Sequence, residues 1–350
     1  MRDKKLDIFR GMTMIYIVGV IHGLYWLKLF NFSLKWLILF EMPIIFFIMG
    51  ASFSLCPKKL SINYIIKRLF RCLIPFLFYS LVVLILNFIY NPTLLRNNWT
   101  AFIKFIFDPV LRYNKILFLH GHLWFIPIYV IFIPIIPVMY FYFYKNIKKI
   151  SYKMLLVLTL VLFLFSLDIL EWHNIIITGN YYLRNMLVYG IYIYFGFEYL
   201  NQKVNKKYCI INIFVSLVIM LLLKKFYNLD MQRNKFPPNF MFLLFTFIWF
   251  NILLIFNKLL LNIYTSIDIF RKGIDFYSKK NFVLYLWHPI VYLIIFYFMK
   301  SFNIEIGNLN MIIKILIIIL IVTLNMINGI LFGWTERLGS LLNNISSKNK

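Results

Sequence analysis

An all-α, polytopic integral membrane protein of about ten transmembrane helices, with both termini in the cytosol, is the fold class that three observations predict. The 350-residue chain is 62% hydrophobic and only 14% charged, with a mean hydropathy of +0.81, well beyond what a water-soluble domain needs. Apolar runs of bilayer length recur from end to end, at about residues 7–27, 33–55, 73–90, 122–144, 154–171, 183–200, 208–227, 238–257, 281–299 and 310–334, each suited to cross the hydrocarbon layer as a helix. With the N-terminus inside, 24 of the 37 lysines and arginines fall on the cytosolic side, the asymmetry that orients membrane proteins.

The same composition excludes other classes. A net charge of +25 would suggest nucleic acid in a soluble chain. Here the cations sit in short pieces between apolar runs, where they set orientation and attract anionic lipid head groups, and no basic stripe is interleaved with stacking aromatics. Cys56, Cys72 and Cys209 have neither CxxC nor metal-ligand spacing, so neither a disulfide framework nor a zinc site is expected. The basic, then apolar, N-terminus lacks a small-residue cleavage site and reads as a retained first span. Residues 1–340 form one transmembrane domain, followed by a polar tail at 341–350. The richness in Ile, Asn, Lys, Phe and Tyr points to an AT-rich bacterial genome, and so to a bacterial plasma membrane.

The first run, LDIFRGMTMIYIVGVIHGLYWL, carries Arg10 at its start and His22 deep inside. Twelve helical steps separate them, roughly 18 Å along the axis, and an ionisable ring at that depth is a functional candidate by default. The second run opens with Glu41 in FEMPIIFFIMGASFSL, either a paired interfacial carboxylate or an acid lining a pocket. Arg68 and Arg71 in KRLFR are three residues apart, so they share one face of the third helix. They suit either a positive-inside anchor or a fork on phosphate, with Lys67 a weaker neighbour.

Residues 91–121 lie outside the membrane and carry a short surface helix. They lead into HGHLWFIPIYVIFIPIIP, where His120 and His122 stand at the outer mouth of the fourth span and Pro127, Pro134 and Pro137 kink it. Freed backbone groups of this kind mark cavity-lining helices. Without a third ligand, the two histidines read as hydrogen-bonding or packing groups rather than a metal site. Asp168, Glu171, His173 and Arg184 read first as an interfacial ion-pair group and second as a wall of an acceptor site. Asn251 reads as a helix-to-helix hydrogen bond, and Lys314 as a snorkelling cation. The ninth run begins SKKNFVLYLWHPIVYLI, placing Trp287 and His288 about two turns inside the membrane.

Taken together, LDIFRG before a membrane histidine, MPIIFFIMGAS, KRLFR before a proline, HLWFIP and the late YLWHP resemble the membrane-bound acyltransferase 3 family, in order, from Leu6 to about Trp334. The resemblance implies transfer of an acyl group, mostly acetyl and sometimes succinyl, from cytosolic acyl-CoA to hydroxyls of surface glycans or lipid-linked sugars. It implies membrane lipid and glycan as partners, and no metal is expected. The family's first-span histidine, its proposed base, corresponds to His22, and a neutral imidazole can take the hydroxyl proton. The family's first-span arginine and Arg-x-x-Arg motif correspond to Arg10, Arg68 and Arg71, candidates for the CoA phosphates. Glu41, His122, Trp124, Trp287 and His288 are candidate pocket residues, the last two bordering a path for the pantetheine arm.

Two departures stand out. Asn281 occupies a position where many relatives have serine. Eleven residues separate Arg10 from His22 where relatives usually have ten. On an ideal α-helix twelve steps leave His22 roughly 120° round from Arg10, so the spacing calls either for a π-bulge near Gly19 or for Arg10 to reach round. Other functional classes remain open to sequence reasoning: a glycan or lipid transporter without acyl chemistry, and a structural membrane scaffold.

Overall fold

The computed structural model describes residues 3–30, 34–90, 121–173, 180–200 and 204–338. The surface helix expected between 91 and 120, His120 and the polar tail lie outside the described residues. Among those residues there is no strand, and the elements in order are all helical. They are α1 (Lys4–Trp26), α2 (Glu41–Leu55), α3 (Ile62–Tyr90), α4 (Gly121–Tyr144), α5 (Ile150–Trp172), α6 (Asn180–Phe197), α7 (Lys206–Leu223), α8 (Phe240–Ile255), α9 (Asn257–Ser266), α10 (Asp268–Lys279), α11 (Asn281–Ser301) and α12 (Met311–Phe332). Eight of the described helices are long and apolar enough to cross a membrane, or nine if the pair α8 and α9, bent by 55°, is one span. The sixth run forms α6, a helix whose Arg184, Asn185 and tyrosines lower its hydropathy and which is largely buried.

The chain divides into two compact units. The first comprises Met1–Tyr16, Phe32–Lys59 and Ile136–Ser278. At its centre α2 and α6 touch backbone to backbone. A Cβ on Gly50 would stand 2.1 Å from the Ile193 carbonyl oxygen, and one on Gly196 would stand 2.3 Å from that of Phe47. Small residues permit this approach, which in lipid replaces the hydrophobic drive to association. Beside the contact, Phe46 stacks on Tyr189 at 4.4 Å.

Of the polar group read at the end of α5, Asp168 and Arg184 form a buried, hydrogen-bonded pair, while Glu171 and His173 are exposed. Asp168, 2% exposed, accepts hydrogen bonds from Arg184, from the Tyr227 hydroxyl at 2.5 Å and from the Phe240 backbone N–H at 2.9 Å. Arg184 also reaches Glu171 at 2.7 Å. A charge this deep persists because every partner is in place.

The second unit comprises Ile17–Asn31, Leu60–Ile135 and Lys279–Lys350. Its α11 and α12 pack face to face, with Trp287 stacked on Phe332 at 3.4 Å and 5°. Two asparagines of α12 donate to carbonyls of α11: Asn325 Nδ2 to Leu284 at 3.1 Å and Asn328 Nδ2 to Trp287 at 3.0 Å. Elsewhere apolar side chains such as Leu158 and Leu162 of α5, Phe214 and Leu222 of α7, and Ile312 and Leu316 of α12 are exposed, as lipid-facing surfaces are.

Gly50→Ala should destabilise the detergent-solubilised protein by about 1–3 kcal/mol, because a methyl group there overpacks a backbone contact. Gly273→Ala, which meets nothing within 4 Å, should leave the thermal unfolding midpoint unchanged or slightly raised.

Candidate functional site

The site grows from a proline. Pro289, inside α11, has no N–H to give to the carbonyl four residues before it, that of Tyr285. The neighbouring imidazole takes up that carbonyl: His288 Nδ1 lies 2.5 Å from the Tyr285 oxygen. A carbonyl only accepts, so Nδ1 carries the proton, and in the singly protonated ring Nε2 presents its lone pair. His288 is fully buried, and among the described residues its Nε2 has no hydrogen-bond partner. Tyr285, His288 and Tyr292 follow at steps of three and four, so they share one face of α11.

That face meets the second half of α1. The segment Tyr16–Ile21, which contains Gly19, is π-helical, the extra residue per turn that the Arg10 to His22 spacing calls for. The Tyr292 hydroxyl donates to the Val18 carbonyl inside it at 2.5 Å. A Cβ on Gly19 would come within 2.9 Å of Val322, so a small residue is needed where α12 passes.

His22 follows directly. Its ring stacks on Trp26 at 4.1 Å and 14° and on His288 at 4.6 Å and 7°, and Trp26 also lies against His288 at 5.1 Å and 10°. His122, on the 3-10 turn Gly121–Trp124 that opens α4, presents its ring at 4.9 Å and 80° to that of His288. Its carbonyl accepts from the Tyr285 hydroxyl at 2.6 Å, and Tyr79 of α3 stands edge-on to it at 5.8 Å. Three histidines far apart in sequence thus meet in one aromatic cluster. Among the described residues no group of three His, Cys, Asp or Glu has the geometry to hold a metal ion.

The cationic end of the same unit is richer than the sequence suggested. Arg68 and Arg71 are exposed near the start of α3, with Arg68 over the Tyr64 ring at 5.6 Å. Glu336 accepts from the Val283 N–H at 3.1 Å and is within electrostatic reach of Arg71 and Lys280. Lys280 donates to the Gly329 carbonyl at 2.8 Å. Burial and the nearby Arg337 hold its ammonium below the usual lysine range. Lys280 and Arg337 were not singled out from sequence; their position just before α11 and just after α12 was the available signal.

The remaining sequence candidates are placed as follows. Arg10 belongs to the first unit, where it donates to Asp7 at 2.7 Å and Ser52 at 2.8 Å. Glu41, 3% exposed, is ion-paired with Lys235, also in the first unit; among the described residues its Oε2 has no hydrogen-bond partner. Trp124 is half-buried on the turn that carries His122. Trp287 is buried against Phe332 and, edge-on, Tyr79. The sequence reading missed Trp26, Tyr79, Tyr285 and Tyr292 as neighbours of His22.

Residues 3–327 match the family model of the acyltransferase 3 domain, described as an acyltransferase domain. The chain belongs to the acyltransferase 3 family. No curated protein and no solved structure gives a significant match. The family match runs from α1 into α12 and takes in all three clustered histidines and both arginines of KRLFR. With the apolar helices, it makes the protein a multi-pass membrane acyltransferase.

In this acyltransferase, Tyr292→Phe should remove the hydroxyl bond to the Val18 carbonyl and lower stability by about 1 kcal/mol, the net worth of a typical hydrogen bond. Thermal unfolding in detergent measures it.

Proposed function

We propose that the protein is an O-acyltransferase of a bacterial plasma membrane that moves an acetyl group from cytosolic acetyl-CoA to a hydroxyl of a cell-surface or lipid-linked glycan. The observation that carries this reading is that His22, enclosed by aromatic rings, belongs to the same compact unit as the exposed pair Arg68 and Arg71. The distribution of lysine and arginine favours placing those arginines in the cytosol, where the nucleotide is.

The chemistry needs a base, a clamp and an enclosed path. His22 takes the acceptor hydroxyl proton as the oxygen attacks the thioester carbonyl. The C–O bond forms, the C–S bond breaks, and the imidazolium returns the proton to the departing CoA thiolate, giving an ester and free CoA. Arg68 and Arg71, one helical turn apart, hold the CoA phosphates as a fork. Arg10, bonded to Asp7 and Ser52, belongs to the first unit. Trp124 and Trp287, in the same unit as His22, are candidates for its walls.

The test is incorporation of label from radioactive acetyl-CoA into ester-linked glycan by membranes carrying the protein. His22→Ala should lower the rate at least about a hundredfold, the scale of general-base catalysis. Arg68→Ala and Arg71→Ala should raise the KM for acetyl-CoA about tenfold or more, the scale of a charged hydrogen bond. Unchanged labelling in His22→Ala would remove that residue from the mechanism, and glycan movement that needs no acetyl-CoA would point to a transporter.

A further inference from the structure

We infer that His288 binds a second hydroxyl of the acceptor, next to the one that reacts, so that the acceptor is a vicinal diol of the kind sugars carry. The inference rests on the reading of His22 as base.

Its first leg is the bond to Tyr285. Because Nδ1 donates to a carbonyl that Pro289 leaves open, the neutral ring has only an acceptor left, at Nε2. That atom is fully enclosed and without a hydrogen-bond partner among the described residues, a situation that costs free energy unless a donor arrives with the substrate.

The second leg is the stacking. His22 and Trp26 lie nearly parallel to His288, at 7° and 10°. Neither ring donates to His288 Nε2, which has no hydrogen-bond partner among the described residues. The third leg is proton counting. The reacting hydroxyl has one proton, and it goes to His22. The lone pair on His288 needs another, and with ring centroids 4.6 Å apart a hydroxyl on a neighbouring carbon is within its reach. His288 thereby acts on specificity, favouring a diol over an isolated alcohol, and takes no proton itself.

Two substitutions separate this role from others. In His288→Gln the side-chain oxygen occupies the place of Nε2 and accepts a hydrogen bond, but it does not bind a proton at neutral pH. In His288→Asn the amide N–H occupies the place of Nδ1, keeping the bond to Tyr285, but nothing stands where Nε2 was. Rates of label transfer from radioactive acetyl-CoA to membrane glycan are measured per folded protein, with folding monitored by thermal unfolding. His288→Gln should stay within a few fold of wild type. His288→Asn should lose about tenfold or more in kcat, with the KM for acetyl-CoA unchanged. Mass spectrometry of the released glycan should place the label on a carbon whose neighbour bears a free hydroxyl.

A wild-type rate in His288→Asn overturns the inference. So does a folded His288→Gln as slow as His288→Asn, which would make the ring a proton carrier. An acetylated carbon with no hydroxyl-bearing neighbour does so as well. If His288→Gln does not fold, His288→Asn and the position of the label still decide. These outcomes leave the reading of His22 standing, whereas wild-type membranes that transfer no label overturn both.

Discussion

Pro289 removes one N–H from the middle of α11, and the orientation of the histidine cluster follows from how that loss is repaired. In water the Tyr285 carbonyl would be solvated; in an apolar span it must find a donor in the protein. The nearest is the preceding side chain, and the bond from His288 Nδ1 fixes both the direction of the ring and which nitrogen carries the proton. The stacking of His22 and Trp26 on that ring is then a packing consequence. A histidine before a proline in a membrane helix is thus a device for presenting a bare nitrogen in a chosen direction.

The π segment of α1 obeys the same rule from the other helix. Its altered hydrogen-bond pattern falls around Val18 and Gly19, and the Tyr292 hydroxyl, one turn beyond His288 on the same face, donates to the Val18 carbonyl. The π segment of α1 is thereby tied to α11 within one unit.

Periodicity and hydropathy sufficed for the long apolar helices, since a run of some twenty apolar residues has few other ways to fold, but not for the more polar α9 and α10. The π segment was legible too, as a mismatch between residue count and helical repeat. So was the pairing of Arg184 with Asp168 and Glu171, because those charges flank neighbouring spans. The partner of Glu41 was not: Lys235 lies 194 positions away, in a loop whose sequence shows only turn residues and scattered charge. The contact of His122 with His288 was equally hidden, since it depends on how α4 and α11 pack. Tyr285 and Tyr292 were readable in principle, for their spacing from His288 places them on its face, but tyrosines near helix ends also form ordinary interfacial belts.

Asparagines complete the argument for a rigid site. Asn325 and Asn328 of α12 donate to the carbonyls of Leu284 and Trp287, on either side of the carbonyl that His288 holds. Three carbonyls within four residues of α11 thus carry a side-chain donor. In a bilayer such bonds survive because breaking one leaves a polar group in hydrocarbon. A helix pinned in this way does not swing its histidine when a ligand arrives. The orientation of the ring is settled during folding, and binding energy is left for positioning the reacting groups.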